Sequence, residues 1–161
     1  MTGANDEYPM IGLGCFYEDL PVGRKFRTIG RTLFEADLVA FTTCTGMTEV
    51  LFTNRKFLAE ESDIKRPVIP GAMVFSFIEG LLVQSTMQHT GFAFLDMDFK
   101  IKGPTFVGDT IHAECEVIES RRSSSRPNRG LVRTRNHVFK QDGGHVLTYT
   151  PLRMVKARSS D

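Results

Sequence analysis

The stretch of sequence that decides the fold is residues 70–89, PGAMVFSFIEGLLVQSTMQH. It contains no proline after its first residue, and its apolar residues recur at the intervals that place side chains on one face of a helix. This stripe consists of Val74, Phe77, Ile78, Leu81 and Leu82. At a rise of about 1.5 Å per residue, the helix would be ~30 Å long. Met73, Phe75 and Val83 add apolar side chains outside the stripe, so the sequence predicts a helix that is buried on most sides.

Beyond Gly91 the apolar period changes to two, the period of a β-strand. The residues predicted to face the core are Ala93, Leu95, Met97, Phe99 and Ile101, followed by Ile111, Ala113, Cys115 and Val117. Two more strands are predicted near 131–140 and 145–155, joined by the turn sequence Gln141-Asp142-Gly143-Gly144. One long helix followed by four strands predicts an α+β fold, in which the helix covers the apolar face of an antiparallel sheet.

The chain before this helix gives weaker signals. Residues 25–31 are predicted to form a strand, and a short helix is expected to end near Gly46. Thr32 and Glu35 have the T-x-x-E spacing of a capping box at the start of that helix. We predict an N-terminal arm over residues 1–16 and one domain over residues 17–157.

Composition narrows the class of protein. The 161 residues, 41% of them hydrophobic, suit a single core. With 20 basic and 19 acidic residues, the chain has a formal net charge of +1, too small to attract nucleic acid or anionic lipid. No segment resembles a signal peptide or approaches the ~20 apolar residues of a membrane span. The three cysteines are widely spaced and lack metal-ligand spacing, which favours reduced thiols in a cytoplasmic protein and no metal site. Taken together, charge, hydropathy and cysteine spacing predict no nucleic acid, membrane or metal as a partner.

Four motifs, in order along the chain, resemble those of MaoC-like acyl-CoA hydratases. Residues 31–37, RTLFEAD, resemble R-T-V-T-E-x-D, and residues 45–54, TGMTEVLFTN, align without a gap with T-G-D-x-N-P-L-H-x-D. Residues 68–73 stand where that family has the H-G start of its central helix, and residues 104–110 match P-x-x-x-G-D-T. The resemblance covers residues 17–157 and implies the hot-dog fold, an antiparallel sheet wrapped around a long central helix.

The resemblance also implies a function. Members of the family hydrate trans-2-enoyl thioesters, with an Asp and a His that hold the water and a backbone N–H at the helix start that polarises the thioester carbonyl. Gly71 is kept at that helix start, but Met47 replaces the Asp and Phe52 replaces the His. The predicted function is therefore that of an acyl-CoA hydratase or dehydratase, acting between enoyl-CoA and 3-hydroxyacyl-CoA, whose usual proton-transfer pair is missing.

Two carboxylates are candidates for the missing chemistry. Glu49 lies inside the altered motif and would serve as a replacement base if burial raised its pKa; an exposed loop glutamate is the simpler interpretation. Glu79 has the spacing of the catalytic carboxylate in hot-dog thioesterases, unless it points to solvent or pairs with an arginine. The predicted substrate pocket consists of Met47, Phe52, Asn54 and Met73.

The resemblance extends to ligand and assembly. Arg126 and Arg129 lie in an arginine-rich loop that suits the phosphates of coenzyme A, which would enter only as part of the substrate rather than as a separate cofactor. The family implies a homodimer, or a higher homo-oligomer, with the ligand tunnel at the interface. Three functions stay open: a hydratase using Gly71 and Glu49, a thioesterase using Glu79, and a non-catalytic acyl-CoA-binding protein or subunit.

Overall fold

The computed structural model describes residues 8–158, which form a six-stranded antiparallel sheet packed on a central helix. In chain order the elements are a 3₁₀ turn (Tyr17–Asp19), β1 (Lys25–Arg27), β2 (Arg31–Thr32), α1 (Glu35–Thr45), α2 (Val50–Thr53), α3 (Arg55–Glu60), α4 (Gly71–Leu82), a π-helical turn (Val83–Met87), β3 (Gly91–Ile101), β4 (Thr110–Arg122), β5 (Arg129–Lys140) and β6 (His145–Lys156). This arrangement confirms the predicted α+β hot-dog fold.

The sheet has the strand order β1-β4-β5-β6-β3, with β2 also pairing with β4. The predicted turn at 141–144 does join β5 to β6, and Gly143 there has φ of 82°, a conformation that glycine adopts without strain. β3 pairs with β6 on one side only. Its other side is an open edge of the sheet.

The core lies between α4 and one face of the sheet. Met73 and Ile78 of α4 are fully buried there against Ile111, Val138 and Leu147 of the strands. Of the predicted stripe, Val74, Ile78 and Leu82 are buried and Phe77 and Leu81 are half-buried. The buried face also includes Met73, which the prediction placed outside the stripe. The α-helix itself ends at Leu82 and continues only as the π-helical turn, so it is shorter than the predicted 70–89.

The start of α1 corrects one prediction. Thr32 does not cap this helix, because it belongs to β2 and its hydroxyl hydrogen-bonds to that of Thr110 at 2.7 Å. The helix begins after Phe34, whose N–H donates to the Asp37 carboxylate at 2.9 Å. Gly46 ends α1 with φ of 71°, as predicted.

The register of β3 contradicts a second prediction, the strict alternation of core-facing residues along this strand. Its pairing with β6 shifts between Gly91 and Ala93 and again between Phe94 and Asp96, which breaks the strict alternation. As a result Phe94, and not Ala93 or Leu95, shares a face with Phe99, and both rings contact Phe75 of α4 edge to face. The predicted strand over 25–31 is likewise two short strands, β1 and β2.

The N-terminal arm was predicted over residues 1–16, and residues 1–7 lie outside the described part. Residues 8–16 form no helix or strand. The N–H groups of Gly14 and Cys15 donate to the carbonyls of Gln88 and Thr86, each at 2.8 Å, which holds this segment beside the end of the central helix. In the described chain, no helix is both long and apolar enough to cross a membrane.

Candidate functional site

The amide of Gly71 is the first of α4. The carbonyl of Pro70 accepts from the N–H groups of Met73 and Val74 at 2.9 and 3.2 Å, whereas the N–H of Gly71 has no backbone acceptor within residues 8–158. The first N–H groups of a helix lack partners in the helix itself and carry its positive dipole end. This group can therefore donate to an oxygen on which negative charge develops.

A cavity of about 300 Å³ opens in front of Gly71. It is lined by Val68, Ile69, Gly71, Val74, Ile101, Gly103, Pro104, Thr105, Val146 and Leu147. A Cβ on residue 71 would lie 2.5 Å from Ile101 Cδ1, the flexible end of that side chain, which would have to shift to make room. The Gly71 N–H is a free donor at the wall of a mostly apolar cavity.

The altered motif, residues 45–54, comprises the last residue of α1, a surface turn and the short helix α2, and its final residue directly precedes α3. The carboxylate of Glu49 accepts from Leu51 N–H at 2.6 Å, and Glu49 is exposed. Asn54 Oδ1 accepts from Phe57 N–H at 2.9 Å. Both side chains therefore cap the starts of helices, α2 and α3 respectively.

The three apolar residues predicted for the substrate pocket differ in how deeply they are buried. Met47 is exposed, with 36% of its surface accessible, Phe52 is half-buried against the main core, and Met73 is fully buried within it. In the described chain, Met47, Glu49 and Phe52 are not among the residues that line the Gly71 cavity. The structure thus brings Phe52 and Met73 into one core, and it leaves Glu49 on the surface.

Glu79 pairs with an arginine. Its Oε1 accepts from the Tyr149 hydroxyl at 2.6 Å and from Arg153 Nη2. The side chains of Glu79 and Arg153 are only 15% and 6% exposed. Burial, reinforced by the Glu79 carboxylate, raises the pKa of Tyr149, so the phenol stays protonated and donates.

Arg153 and Tyr149 were not singled out from the sequence, although a signal was present. The buried residues of β6 include Leu147, Tyr149, Arg153 and Val155, which alternate along the strand. An arginine at a core-facing position, with a lone carboxylate on the apolar helix, indicates a buried ion pair.

A second cavity, of about 260 Å³, lies beside this ion pair. Its lining residues are Glu79, Val83, Met87, Gly91, Phe92, Ala93, Phe94 and Arg153. The guanidinium carbon of Arg153 lies 5.3 Å from the centre of the Phe94 ring. The lining of this cavity therefore combines aromatic rings with the charged side chains of Glu79 and Arg153. It lies at the opposite end of β3 from the Gly71 cavity.

Comparison with known proteins identifies the fold family. The family model described as a MaoC like domain matches residues 19–139. The chain belongs to this MaoC-like family. It is 28% identical over 131 residues to the (R)-specific enoyl-CoA hydratase of Aeromonas caviae, an alignment that covers 81% of this chain and 92% of that protein.

Solved structures of other proteins have the same fold. The MaoC-like dehydratase from Rhodospirillum rubrum superposes with a TM-score of 0.79 at 26% identity, covering 91% of this chain and 100% of that one. A Mycobacterium tuberculosis protein described as having a double hotdog fold gives a TM-score of 0.82 at 22% identity, covering 95% of this chain but 47% of that one. At that identity the second likeness shows the fold alone.

The two arginines predicted to bind coenzyme A surround one aromatic ring of this MaoC-like domain. The guanidinium carbons of Arg129 and Arg126 lie 4.5 and 5.7 Å from the centre of the Phe92 ring. Phe92 is 54% exposed. The arginines therefore lie beside the Glu79 cavity, which Phe92 helps to line.

Proposed function

We propose that the protein is an acyl-CoA hydratase or dehydratase that interconverts enoyl-CoA and 3-hydroxyacyl-CoA thioesters. The observation that carries this proposal is the free N–H of Gly71 above an apolar cavity, at the start of the central helix of a MaoC-like domain. The relationship to an (R)-specific enoyl-CoA hydratase supports it. Coenzyme A enters only as part of the substrate.

The chemistry assigns separate roles to Gly71 and Glu49. In hydration, the oxygen of water bonds to the β-carbon of the enoyl group, and a proton is added at the α-carbon. The Gly71 N–H stabilises the negative charge on the thioester oxygen, a contribution of roughly 10²–10³ in rate. Glu49 is the proposed base, which takes the proton from water and returns it to the α-carbon; only its Oε2 is engaged in capping α2. Because Glu49 is exposed and does not line the Gly71 cavity, this role requires the substrate to extend from that cavity to the surface turn.

Turnover of a panel of enoyl-CoA and 3-hydroxyacyl-CoA thioesters tests the reaction. We expect hydration faster than the buffer rate, and Glu49→Gln should abolish it. The control is Glu60→Gln, which removes another exposed glutamate, paired with Lys56, and should keep the wild-type rate. Rates no faster than buffer across the panel would reject the reaction. A Glu49→Gln variant with wild-type rates would reject only the role of Glu49.

A second candidate function is thioester hydrolysis at Glu79. The observation that favours it is the position of this carboxylate on the wall of the 260 Å³ cavity, with Oε2 free of hydrogen-bond partners among the described residues. Release of free coenzyme A should then disappear in Glu79→Gln, which retains the shape of the side chain. Hydrolysis that survives both Glu79→Gln and Glu79→Ala would remove the basis for this candidate.

The third candidate is a non-catalytic acyl-CoA-binding protein or subunit. It is favoured by Met47 and Phe52, which cannot transfer protons at the two positions where the family has its Asp and His. Calorimetry distinguishes it from the other two: acyl-CoA should bind without turnover. Absence of binding would exclude the binder.

The assembly that fits this site is a homodimer joined through β3. This strand of 11 residues has an open edge, and such an edge is a ready template for a second copy. Its exposed apolar residues are Phe92, Phe94, Leu95, Met97, Phe99 and Ile101. We expect a dimeric mass by light scattering at micromolar concentration; a monomeric mass there would contradict this assembly.

A further inference from the structure

Thr105 is the polar side chain of the Gly71 cavity. Among the residues of the described chain that line this cavity, no other has a polar group on its side chain. Thr105 is only 3% exposed, and its hydroxyl forms no hydrogen bond within residues 8–158. The hydroxyl is not one of the fully enclosed polar atoms that lack a partner, so it stays accessible from the cavity.

Backbone contacts hold Thr105 beside the start of α4. The N–H of Ile69 donates to the Thr105 carbonyl at 2.8 Å, and Val68 forms an antiparallel bridge with Phe106. Gly71 follows Ile69 by two residues, so the same short segment carries the free N–H and holds Thr105. The two hydrogen-bonding groups of the cavity are therefore fixed relative to each other.

The exposure of the lining residues gives this cavity a mouth and a floor. Ile101 and Pro104 are exposed and mark the mouth, and Gly71 lies beside Ile101. The buried lining residues, which form the floor, are Val68, Ile69, Val74, Thr105, Val146 and Leu147. A cavity of about 300 Å³ is too small for coenzyme A, so a thioester that accepts from Gly71 N–H must point its acyl chain at the floor.

A single hydroxyl on an apolar floor matches an acyl chain that carries one oxygen. Beyond the carbonyl, the first oxygen in the proposed reaction is the hydroxyl at C3, which only the hydrated thioester has. Two hydroxyl groups can each donate and accept, so they can pair in either direction. An enoyl or saturated chain on this floor would leave the Thr105 hydroxyl without a partner, which is unfavourable in a buried site.

We propose that Thr105 determines specificity for the hydrated thioester: its hydroxyl hydrogen-bonds to the C3 hydroxyl of a short 3-hydroxyacyl chain bound at Gly71. The protein therefore binds 3-hydroxyacyl thioesters more tightly than saturated thioesters of the same length. A site built to pair with a ligand hydroxyl discriminates against the analogue that lacks it. This inference rests on the acyl-CoA function proposed above.

Calorimetry with a matched pair of ligands tests this contact. The pair consists of the amide analogues of 3-hydroxybutyryl-CoA and butyryl-CoA, in which NH replaces the thioester sulfur. They keep the carbonyl oxygen, and their less acidic α-protons prevent turnover. We expect the wild type to bind the hydroxylated analogue roughly 10-fold more tightly, because one hydrogen bond is gained. Thr105→Val, which keeps the shape without the hydroxyl, should lose this preference; an unchanged affinity ratio would overturn the proposal.

Two further variants separate the hydroxyl from a general effect on the cavity. Thr105→Ser keeps the hydroxyl and should retain the preference, even if both analogues bind more weakly; its loss there would also overturn the proposal. Thr42→Val removes another buried hydroxyl, on α1 and outside the cavity lining, and should leave the wild-type preference intact. Because the Thr105 hydroxyl has no partner in the free protein, Thr105→Val should not lower the urea midpoint.

These measurements separate this inference from the proposed reaction. If the preference depends on Thr105 but no thioester is hydrated, the reaction fails and the contact stands. If thioesters are hydrated and Thr105→Val keeps the preference, the reaction stands and this inference fails. A wild-type protein that binds the two analogues equally, or neither of them, would also overturn this inference.

Discussion

The altered motif at residues 45–54 and the contact between α4 and β6 each contain one glutamate that the sequence marks as a candidate, and the fold treats the two in opposite ways. Glu49 is exposed and caps a helix of four residues. Glu79 is half-buried, accepts from Tyr149 and pairs with Arg153. The residue type alone does not distinguish a surface cap from an ion pair in the core. The difference comes from β6, which provides the partners of Glu79.

The two regions also differ in what a substitution would cost. An exposed helix cap contributes about 0.5–2 kcal/mol, whereas removing one partner of a buried ion pair costs about 3–5 kcal/mol because the other charge is left unpaired. A substitution at Glu49 should therefore cost less stability than one at Glu79. The Glu79 contact is constrained by the core.

The strongest way to test the altered motif is to restore what it lacks. In Met47→Asp/Phe52→His we expect the hydration rate to rise by roughly 10²–10⁴, since an acid and a base return at the two positions where the family has them. Spectrophotometry of enoyl-CoA hydration measures it. Met47→Asn/Phe52→Gln adds polarity without proton transfer and should show no such gain; an equal gain there would contradict the prediction.

Glu79→Ala should have the next largest effect. It leaves the Arg153 guanidinium buried without its carboxylate, so the free energy of unfolding should fall by about 3–5 kcal/mol in urea denaturation. Glu79→Ala/Arg153→Met, which removes both charges, should recover much of that loss. If the double variant is no more stable than Glu79→Ala, the ion pair is not the source of the effect.

Asn54 provides a smaller test on the altered motif. Asn54→Ala removes the cap that accepts from Phe57 N–H, and should lower the free energy of unfolding by about 1 kcal/mol. Asn54→Asp, which restores the residue of the family motif, keeps the cap and should leave stability within about 0.5 kcal/mol of wild type. Equal losses in both variants would show that the amide serves another purpose.

The smallest expected effect concerns His137, which lies outside both regions and makes stability depend on pH. Burial, together with the nearby His145 and Arg135, lowers the pKa of His137 below its ordinary 6.5 in the folded protein. The contribution of His137 to the free energy of unfolding is therefore fully present above pH 6.5. It decreases as the pH drops below 6.5, because His137 binds a proton more readily in the unfolded chain. In His137→Gln, the change in urea midpoint between pH 7.5 and pH 5.5 should shrink; an unchanged difference would contradict this origin.

The fold could be predicted because its main signals are local. The stripe on residues 70–89, the alternation at Ile111, Ala113, Cys115 and Val117, and the turn at 141–144 each report burial through a fixed period. The bulges in β3 could not be predicted, because they depend on register with β6 rather than on the strand itself.

The candidate site was predictable only in part. Gly71 follows from its motif, and its position at the start of α4 confirms the expected helix start. The partner of Glu79 lies 74 residues along the chain, and only the core-facing position of Arg153 on β6 hinted at it. Short helices such as α2 and α3 were missed since four and six residues are too few for a periodic signal.

The close approach of Ile101 to Gly71 links substrate size to subunit contact. The side chain at position 101 fills the space that a Cβ on residue 71 would need, so it limits the width in front of the Gly71 amide. Ile101 also lies on the open edge strand and is exposed there. A change such as Ile101→Val, made to admit a bulkier acyl chain, would also trim the surface available to a second copy. In the proposed β3 dimer, a substitution at position 101 would therefore change both the width of the proposed acyl site and the contact between copies.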